Sequence, residues 1–513
     1  MLREKCLKVA VSLVILGLWL SLPTNQAQAV PSFNRQTGLE CTACHTMFPE
    51  LTPVGRNFKL NGFTATKHGD KPYEWPPPVS AMVQLSFTHL NKDRPANNGL
   101  NGGQAFNFDP SNRANDNINF PQAISLFYGG RIYGEHVGGL IQGTYDGVGN
   151  KFFLDLTDVR ITAKPELFGK PLVLGLTINN NPTVSDVLNT TPAWGFPAGT
   201  PAGDTVMTPG AGPQIEGALA SMVGGAGAYF YWNNLIYGEM AVYGTARQGV
   251  QQFLGAGTQT GTMIQDAAPY WRVFLNKQWG KHSVQVGHFG LIDRVISASP
   301  KPGAVDENGN NIPGNPNLLD TRGPIDRFVD LGFDAQYQFI GKKHIITAQT
   351  SYVHEDQRLN NSDSQQASFG NSAYLDKFKI NANYYYRTDN WGSIGGTIAY
   401  VNVWGSNNFF SPDPTGATAP FGLYGPGAGS GYRVGKPNSD WWVFELDYIP
   451  WWKQFVTKFT LQYTAYSHFN GARARYDGNA GDPANGIPSD TFPFPRRNAS
   501  YNNSLYLLAW QTF

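Results

Sequence analysis

The chain has 513 residues, with 38 Lys and Arg against 37 Asp and Glu, a balance that argues against a nucleic-acid binder. Charged residues make up only 15% of it and aromatics 13%, with 58 Gly and 35 Pro, a texture unlike an ordinary cytosolic enzyme or a disordered acidic tail. Beyond the first 22 residues no run of about 18 apolar residues occurs, which excludes a helical membrane protein.

At the start of the chain, Arg3, Lys5 and Lys8 precede the apolar stretch from Val9 to Leu22, and Ala27-Gln28-Ala29 follows as a small-residue cleavage site. This is the three-part pattern of a secretory signal, so residues 1–29 read as a signal peptide and the mature chain as starting near Val30. A retained membrane anchor is the competing reading; an apolar core of about 14 residues is short for one. Removing Arg3, Lys5, Lys8 and Glu4 leaves the charge nearly balanced.

Of three cysteines, Cys6 leaves with the signal; Cys41 and Cys44 remain, in Cys41-Thr42-Ala43-Cys44-His45. C-x-x-C-H is the attachment pattern of a c-type haem: two thiols form thioethers to the porphyrin, and the adjacent His45 is placed to ligate the iron. A redox dithiol would want a surrounding βαβ pattern, and a structural zinc site a second ligand pair; neither is found. Export strengthens the haem reading, because c-type haem is attached outside the cytoplasm. The expected cofactor is one covalently attached haem c.

From residue 79 the texture turns to period-2 alternation, the mark of strands with two unlike faces. Leu172, Leu174, Leu176 and Ile178 alternate with Val173, Gly175, Thr177 and Asn179; Trp442, Phe444, Leu446 and Tyr448 alternate with Glu445 and Asp447. Sixteen strands are expected, beginning near 79, 120, 136, 154, 171, 219, 235, 269, 282, 326, 344, 373, 392, 439, 456 and 503. Their joints alternate between short turns and long Gly/Pro/Asn-rich stretches, among them 94–117, 182–216, 293–323 and 405–437; the joint near Gly147 to Lys151 breaks the rule. That layout predicts a mainly β fold, an antiparallel transmembrane barrel with short periplasmic turns and long external loops. Tyr237, Tyr270, Trp271, Trp391, Trp404, Trp451 and Trp452 are expected to form its interfacial girdles. Phe513 supplies a terminal aromatic, although Gln511 interrupts the apolar face of the last strand.

The domains are thus 1–29, a signal peptide; 30–78, a monohaem cytochrome c segment; and 79–513, the barrel. Roughly fifty residues are few for a self-sufficient cytochrome, so the haem segment is expected to plug or cap the periplasmic mouth of the barrel, reached by a short proline-rich linker. For the sixth iron ligand, Met82 stands among small polar residues on the expected inner face of the first strand, with His68 as competitor; Met47 is too near His45 to swing round, and His89 has the wrong parity. Inner carboxylates Asp158, Asp330, Asp334, Glu445 and Asp447 face basic Arg160, Lys377, Lys379, Arg387 and Lys458 by parity. They read as cross-lumen ion pairs, with guidance of a hard cation as the alternative; His468 is a weaker candidate for that guidance.

Ala29-Val30-Pro31-Ser32-Phe33, Arg35-Gln36-Thr37-Gly38, Cys41 to His45, Leu51, Gly55-Arg56, Phe58-Lys59 and Gly62-Phe63 resemble the fused monohaem cytochrome and porin proteins of the outer membrane, best known from bacteria that oxidise ferrous iron. Asn34 and Phe63 depart from the family pattern, outside the haem-binding set. Over the barrel the likeness is one of architecture and length, apart from Asn181-Pro182-Thr183 to Trp194-Gly195-Phe196. The resemblance implies an Fe(II)-oxidising electron-transfer protein of the outer membrane, whose partners are extracellular Fe(II) or another one-electron donor, a periplasmic cytochrome acceptor and outer-membrane lipid. Homo-oligomers are an expectation for porins of this size. The rival expectation is a diffusion porin whose haem segment is a structural or sensory plug.

Overall fold

The structure, a computed structural model, describes residues 32–69, 74–93, 115–201, 206, 208–209, 211–217, 219–245, 263–296, 299–300, 319–320, 324–360, 371–406, 437–450, 456–474 and 498–513. The expected signal peptide with Cys6, Val30, residues 71–73 of the linker, and Trp451 and Trp452 lie outside the described residues.

Sixteen strands of nine or more residues form one sheet among the described residues: β1 Val79–Leu90, β2 Asn117–Tyr133, β3 Val137–Asp146, β4 Lys151–Ala163, β5 Lys170–Asn179, β6 Val223–Trp232, β7 Ile236–Thr245, β8 Ala268–Trp279, β9 His282–Ile296, β10 Asp326–Ile340, β11 His344–Leu359, β12 Ser372–Arg387, β13 Ser393–Gly405, β14 Ser439–Ile449, β15 Val456–His468 and β16 Ser504–Thr512. Each pairs antiparallel with its neighbour in sequence, and β1 pairs with β16 from Met82↔Thr512 to Leu90↔Ser504, which closes the cylinder. Closure removes the two free edges that an open sheet would expose.

Alternation sets the two faces. Leu174, Leu176 and Ile178 on β5, Met240 on β7 and Leu446 on β14 are exposed to the outside, while Thr177, Asn179, Glu239, Glu445 and Asp447 on the same strands are buried inside. An apolar exterior and a polar interior are the faces of a transmembrane barrel. One end carries tight turns, such as 280–281 between β8 and β9 and 341–343 between β10 and β11; the other carries the long connections. The turn β3 to β4 at 147–150 is the exception expected from the sequence. Gln511 keeps its outward parity and accepts the Thr457 hydroxyl at 2.5 Å.

Two expectations are corrected. Tyr237 and Tyr270, expected at the lipid interface, are each 1% exposed and point inward; the Tyr237 ring stacks on Phe274 at 4.5 Å and its hydroxyl donates to Glu239 at 2.7 Å. An inward phenol is favoured where the lumen is filled, because it offers a large buried ring and a satisfied donor. The stretch 182–216 is expected as an external loop, but its described residues fold into the lumen instead. Asp186 there accepts the main-chain N–H of Leu188, Thr190 and Thr191 at 2.8, 3.1 and 3.2 Å and pairs with Arg272 of β8 at 3.2 Å. Gln349 of β11 donates to Leu188 O at 2.7 Å, and Gln462 of β15 donates to Gly199 O at 3.0 Å. A buried carboxylate that gathers its own loop's donors and a wall arginine keeps this chain inside.

Candidate functional site

Before β1 the chain forms three short helices, α1 Ser32–Thr37, α2 Cys41–Cys44 and α3 Pro53–Leu60. α3 starts where Thr52 accepts the N–H of Gly55 at 3.2 Å and Pro53 fills the first turn, a favoured helix entry. Its end is reversed by Gly62, at φ 74°, a conformation that costs glycine least. Phe33, Phe58 and Phe63 pack on one another with centroids 5.1 to 5.8 Å apart. α3 lies so close to α2 that a Cβ on Gly55 would overlap the carbonyl oxygen of Cys44.

So small a core needs a wall, and the inner face of the barrel supplies one on several sides. Gln36 accepts the N–H of Arg131 on β2 at 2.8 Å. Tyr229 on β6 donates to Leu60 O at 2.7 Å. Arg56 donates to Gln338 of β10 at 2.7 Å and to Ser283 of β9 at 2.9 Å. Asn383 of β12 donates to Glu50 at 2.8 Å, and the Tyr385 hydroxyl, on the same strand, donates to Asp447 and lies 2.7 Å from Met47 Sδ. Lys59 reaches the inward loop, donating to Val184 O at 2.5 Å and Asp186 O at 3.2 Å. The two layers that fill the lumen are therefore joined.

Within this segment Cys41 and Cys44 are both free thiols. Burial raises each to about 11, with the neighbouring Cys44 adding to the effect on Cys41. His45 follows directly. Its Nδ1 lies 3.2 Å from both Pro49 O and Glu50 O, so the proton sits on Nδ1 and Nε2 keeps its lone pair. Burial lowers the imidazole to about 4, against the smaller opposing pull of those two carbonyls, which keeps the ring neutral at physiological pH. Two free thiols on one helical turn and a neutral, oriented imidazole beside them fit a c-type haem. An unpaired donor adds to the fit: Trp510 Nε1 is buried without a partner, and its ring meets Phe48 at 5.1 Å, which in turn lies 5.2 Å from the His45 ring.

Met82 is 5% exposed on the inner face of β1, clustered with Tyr506, Leu508 and Trp510 and with Phe48 packed against it. It therefore shares the apolar neighbourhood of His45. His68 is engaged elsewhere: Nδ1 lies 2.5 Å from Glu74, which also pairs with Arg131 of β2 at 2.8 Å. Met47 is held by Tyr385, and His89 pairs with Asp116 at 2.7 Å.

The inner charges are placed as parity expects. Asp158 pairs with Arg160 at 2.9 Å; Lys458 pairs with Glu445 at 3.1 Å and Asp447 at 3.4 Å; Lys377 and Lys379 both pair with Glu216 of the inward loop; Asp334 meets Arg272 at 2.5 Å. His468 pairs with Asp440 at 2.5 Å, half exposed. Arg387 differs. Its guanidinium donates to the carbonyls of His45 at 3.1 Å and Thr42 at 3.4 Å, a role that parity alone does not assign. Asp293 and Glu355, buried inside on β9 and β11, escape the alternation reading because Phe289, Leu291 and Val353 share their inner faces.

No family model matches the chain, and no curated protein matches it. Among solved structures it is similar to OmpT of Vibrio cholerae in its trimer form, at 8% identity over 85% of this chain and 98% of that one, with a TM-score of 0.39. It is also similar to an anion-selective porin of Comamonas acidovorans, at 8% identity, 85% and 98% coverage and a TM-score of 0.41. The outer membrane channel DcaP of Acinetobacter baumannii follows at 10%, 85%, 96% and 0.38. Likenesses at this level carry no argument about activity; the closed antiparallel cylinder, built strand by strand above, places the chain among porin-like outer-membrane barrels.

Proposed function

We propose that this barrel is an outer-membrane cytochrome-porin that passes single electrons from an extracellular donor, ferrous iron by the family resemblance, to a periplasmic cytochrome. The observation that carries the reading is the free Cys41-Thr42-Ala43-Cys44 turn followed by a neutral, oriented His45, on a segment bonded to the inner wall. A haem c bound there would supply one-electron chemistry.

The chain's own residues do the rest. Cys41 and Cys44 would tether the group, and His45, whose Nδ1 is engaged, would offer Nε2 to its iron. Phe48, Met82, Trp510 and Phe196 form an apolar surround that limits water, and Met82 is the favoured distal ligand, His68 being drawn to Glu74. The described part of the inward loop, through Val184 and Asp186, meets the segment at Lys59, so the lumen is filled at two levels. That filling supports electron passage over bulk diffusion, since a hydrocarbon zone about 25 Å thick must be crossed.

A second reading, a diffusion porin with a haem plug, draws support from the hydrogen-bonding residues on the β2–β4 wall, where Ser125, Gln142 and Thr144 surround Asp155. Redox titration of the purified protein separates the two. Added Fe²⁺ reduces the haem bands if the first reading holds; bands that respond to dithionite and not to Fe²⁺, together with a large single-channel conductance, establish the second. Assembly into oligomers is part of the proposal, tested by the mass of the detergent-solubilised protein.

A further inference from the structure

At the tight-turn end of the barrel, charge is spread unevenly around the rim. The β8–β9 turn at 280–281 and the β10–β11 turn at 341–343 are neighbours, joined where Ile340 N donates to Lys281 O at 2.8 Å. Together they expose Lys281, Lys342 and Lys343, with Lys277 exposed behind them on the outer face of β8. Among the described residues a single ion pair engages this group, Lys343 with Asp389 of the β12–β13 turn at 3.2 Å. The other described turns at this end are mixed or neutral: Glu135 and His136 between β2 and β3, Lys164, Glu166 and Lys170 between β4 and β5, Asn233 and Asn234 between β6 and β7.

The basic side of the rim is also the side where the Cys41–His45 turn meets the wall. Arg387 N donates to Lys343 O at 2.8 Å, and the guanidinium of the same Arg387 holds the carbonyls of His45 and Thr42. Ile345, two residues past Lys343, packs in the cluster that takes in Cys41. Arg56 of α3 donates to Ser283, two residues past Lys281. Glu40, the exposed acid beside the turn, acts on Arg387. The lysines therefore stand directly over the wall groups that seat the turn.

Like charges gathered on adjacent turns repel, and an anionic partner offsets that cost while being steered to the surface. Position separates a protein from a lipid as that partner. On the outer face the His282 ring stacks on Trp279 at 5.6 Å with Nδ1 2.9 Å from the Tyr337 hydroxyl, and His344 Nδ1 lies 2.8 Å from the Tyr384 hydroxyl. Such an aromatic shelf marks the headgroup level of a barrel. Lys281, Lys342 and Lys343 occupy the turn tips past it, within reach of carboxylates in the aqueous phase. We propose that these three lysines dock the acidic face of a soluble periplasmic electron-carrier protein. The partner's redox role rests on the electron-transfer reading, whereas its capture by charge does not.

Ferricytochrome c and its succinylated form, whose lysines carry carboxylates, share one fold with opposite surface charge and serve as probes. Calorimetric titration of each into the holoprotein, held in zwitterionic nanodiscs, tests the surface. The succinylated probe is expected to bind about tenfold or more tightly than the native one at low salt, and to lose that advantage at about 0.5 M NaCl, where screening is nearly complete beyond contact distance. Lys281→Gln/Lys342→Gln/Lys343→Gln should weaken its binding about tenfold, and Lys164→Gln/Lys170→Gln, on the β4–β5 turn, should leave it unchanged. Equal binding of the two probes, or a triple variant that binds as wild type does, overturns the proposal; a triple variant that instead loses only co-purifying phosphatidylglycerol assigns the lysines to lipid and overturns it too. If probe binding follows the lysines while Fe²⁺ leaves the haem oxidised, the docking surface stands and the conduit falls. If Fe²⁺ reduces the haem and the probe ignores the lysines, the reverse holds.

Discussion

Arg387, on the inner face of β12, donates to the carbonyl oxygen of His45 at 3.1 Å and to that of Thr42 at 3.4 Å. A wall residue thus holds both ends of the Cys41–His45 turn, and the barrel fixes where that turn sits. Arg387→Leu keeps side-chain bulk and removes both bonds. Loss of charged-donor hydrogen bonds of this kind costs about 1–3 kcal/mol. Amide exchange at residues 42–52 is expected to speed accordingly, with the β9–β11 amides unchanged; equal protection in wild type and variant would remove Arg387 from this role.

The thiols give a chemical test. Burial holds Cys41 and Cys44 at about 11, and thiolate is the reactive form. In protein made without haem attachment, iodoacetamide at pH 8 should label the pair some hundredfold more slowly than an unfolded control with thiols near 8.5. The rate should rise about tenfold per pH unit towards pH 11. Labelling as fast as the control would show the turn exposed.

Lys59 makes docking of the segment pH-dependent. Burial lowers its ammonium to about 8 from 10.5, despite the opposing attraction of Asp158. Between those values the released segment binds more protons than the docked one, so docking strengthens as pH rises from 8 to 10.5 and gains nothing more from this group above that. Protease resistance of residues 32–68 should therefore rise across the window. In Lys59→Met, compared in the same buffers, the rise should flatten; an unchanged slope assigns it to another group.

The distal ligand separates by substitution. Met82→Ala is expected to convert the haem spectrum to high spin, because a thioether ligand is lost, while His68→Ala leaves it low spin and loses only the contact with Glu74. The opposite pair of spectra would make His68 the ligand.

Most of the barrel is legible in the sequence because period 2 and turn chemistry act locally: the expected strand starts fall within four residues of those observed, for instance 219 against Val223 and 282 against His282. The C-x-x-C-H turn is legible because its chemistry demands that spacing. What escapes is set by contacts far apart in the chain. Nothing in Asn180 to Thr191 announces that Asp186 will meet Arg272, yet that pair draws the loop inward. Tyr237 and Tyr270 misread because an aromatic near a strand end suits either a lipid interface or a filled lumen. On β9 the inner face runs Phe289, Leu291, Asp293, so an apolar pattern hides an acid whose partners come from other strands.

The central claim is that electrons enter through a closed barrel by way of a group tethered at Cys41 and Cys44. Liposomes carrying the purified protein, with ferricytochrome c trapped inside and Fe²⁺ added outside, test it most directly. The account predicts reduction of the trapped cytochrome by wild type and none by Cys41→Ser/Cys44→Ser barrels of the same orientation. No reduction with wild type, or equal rates from the two, would contradict it.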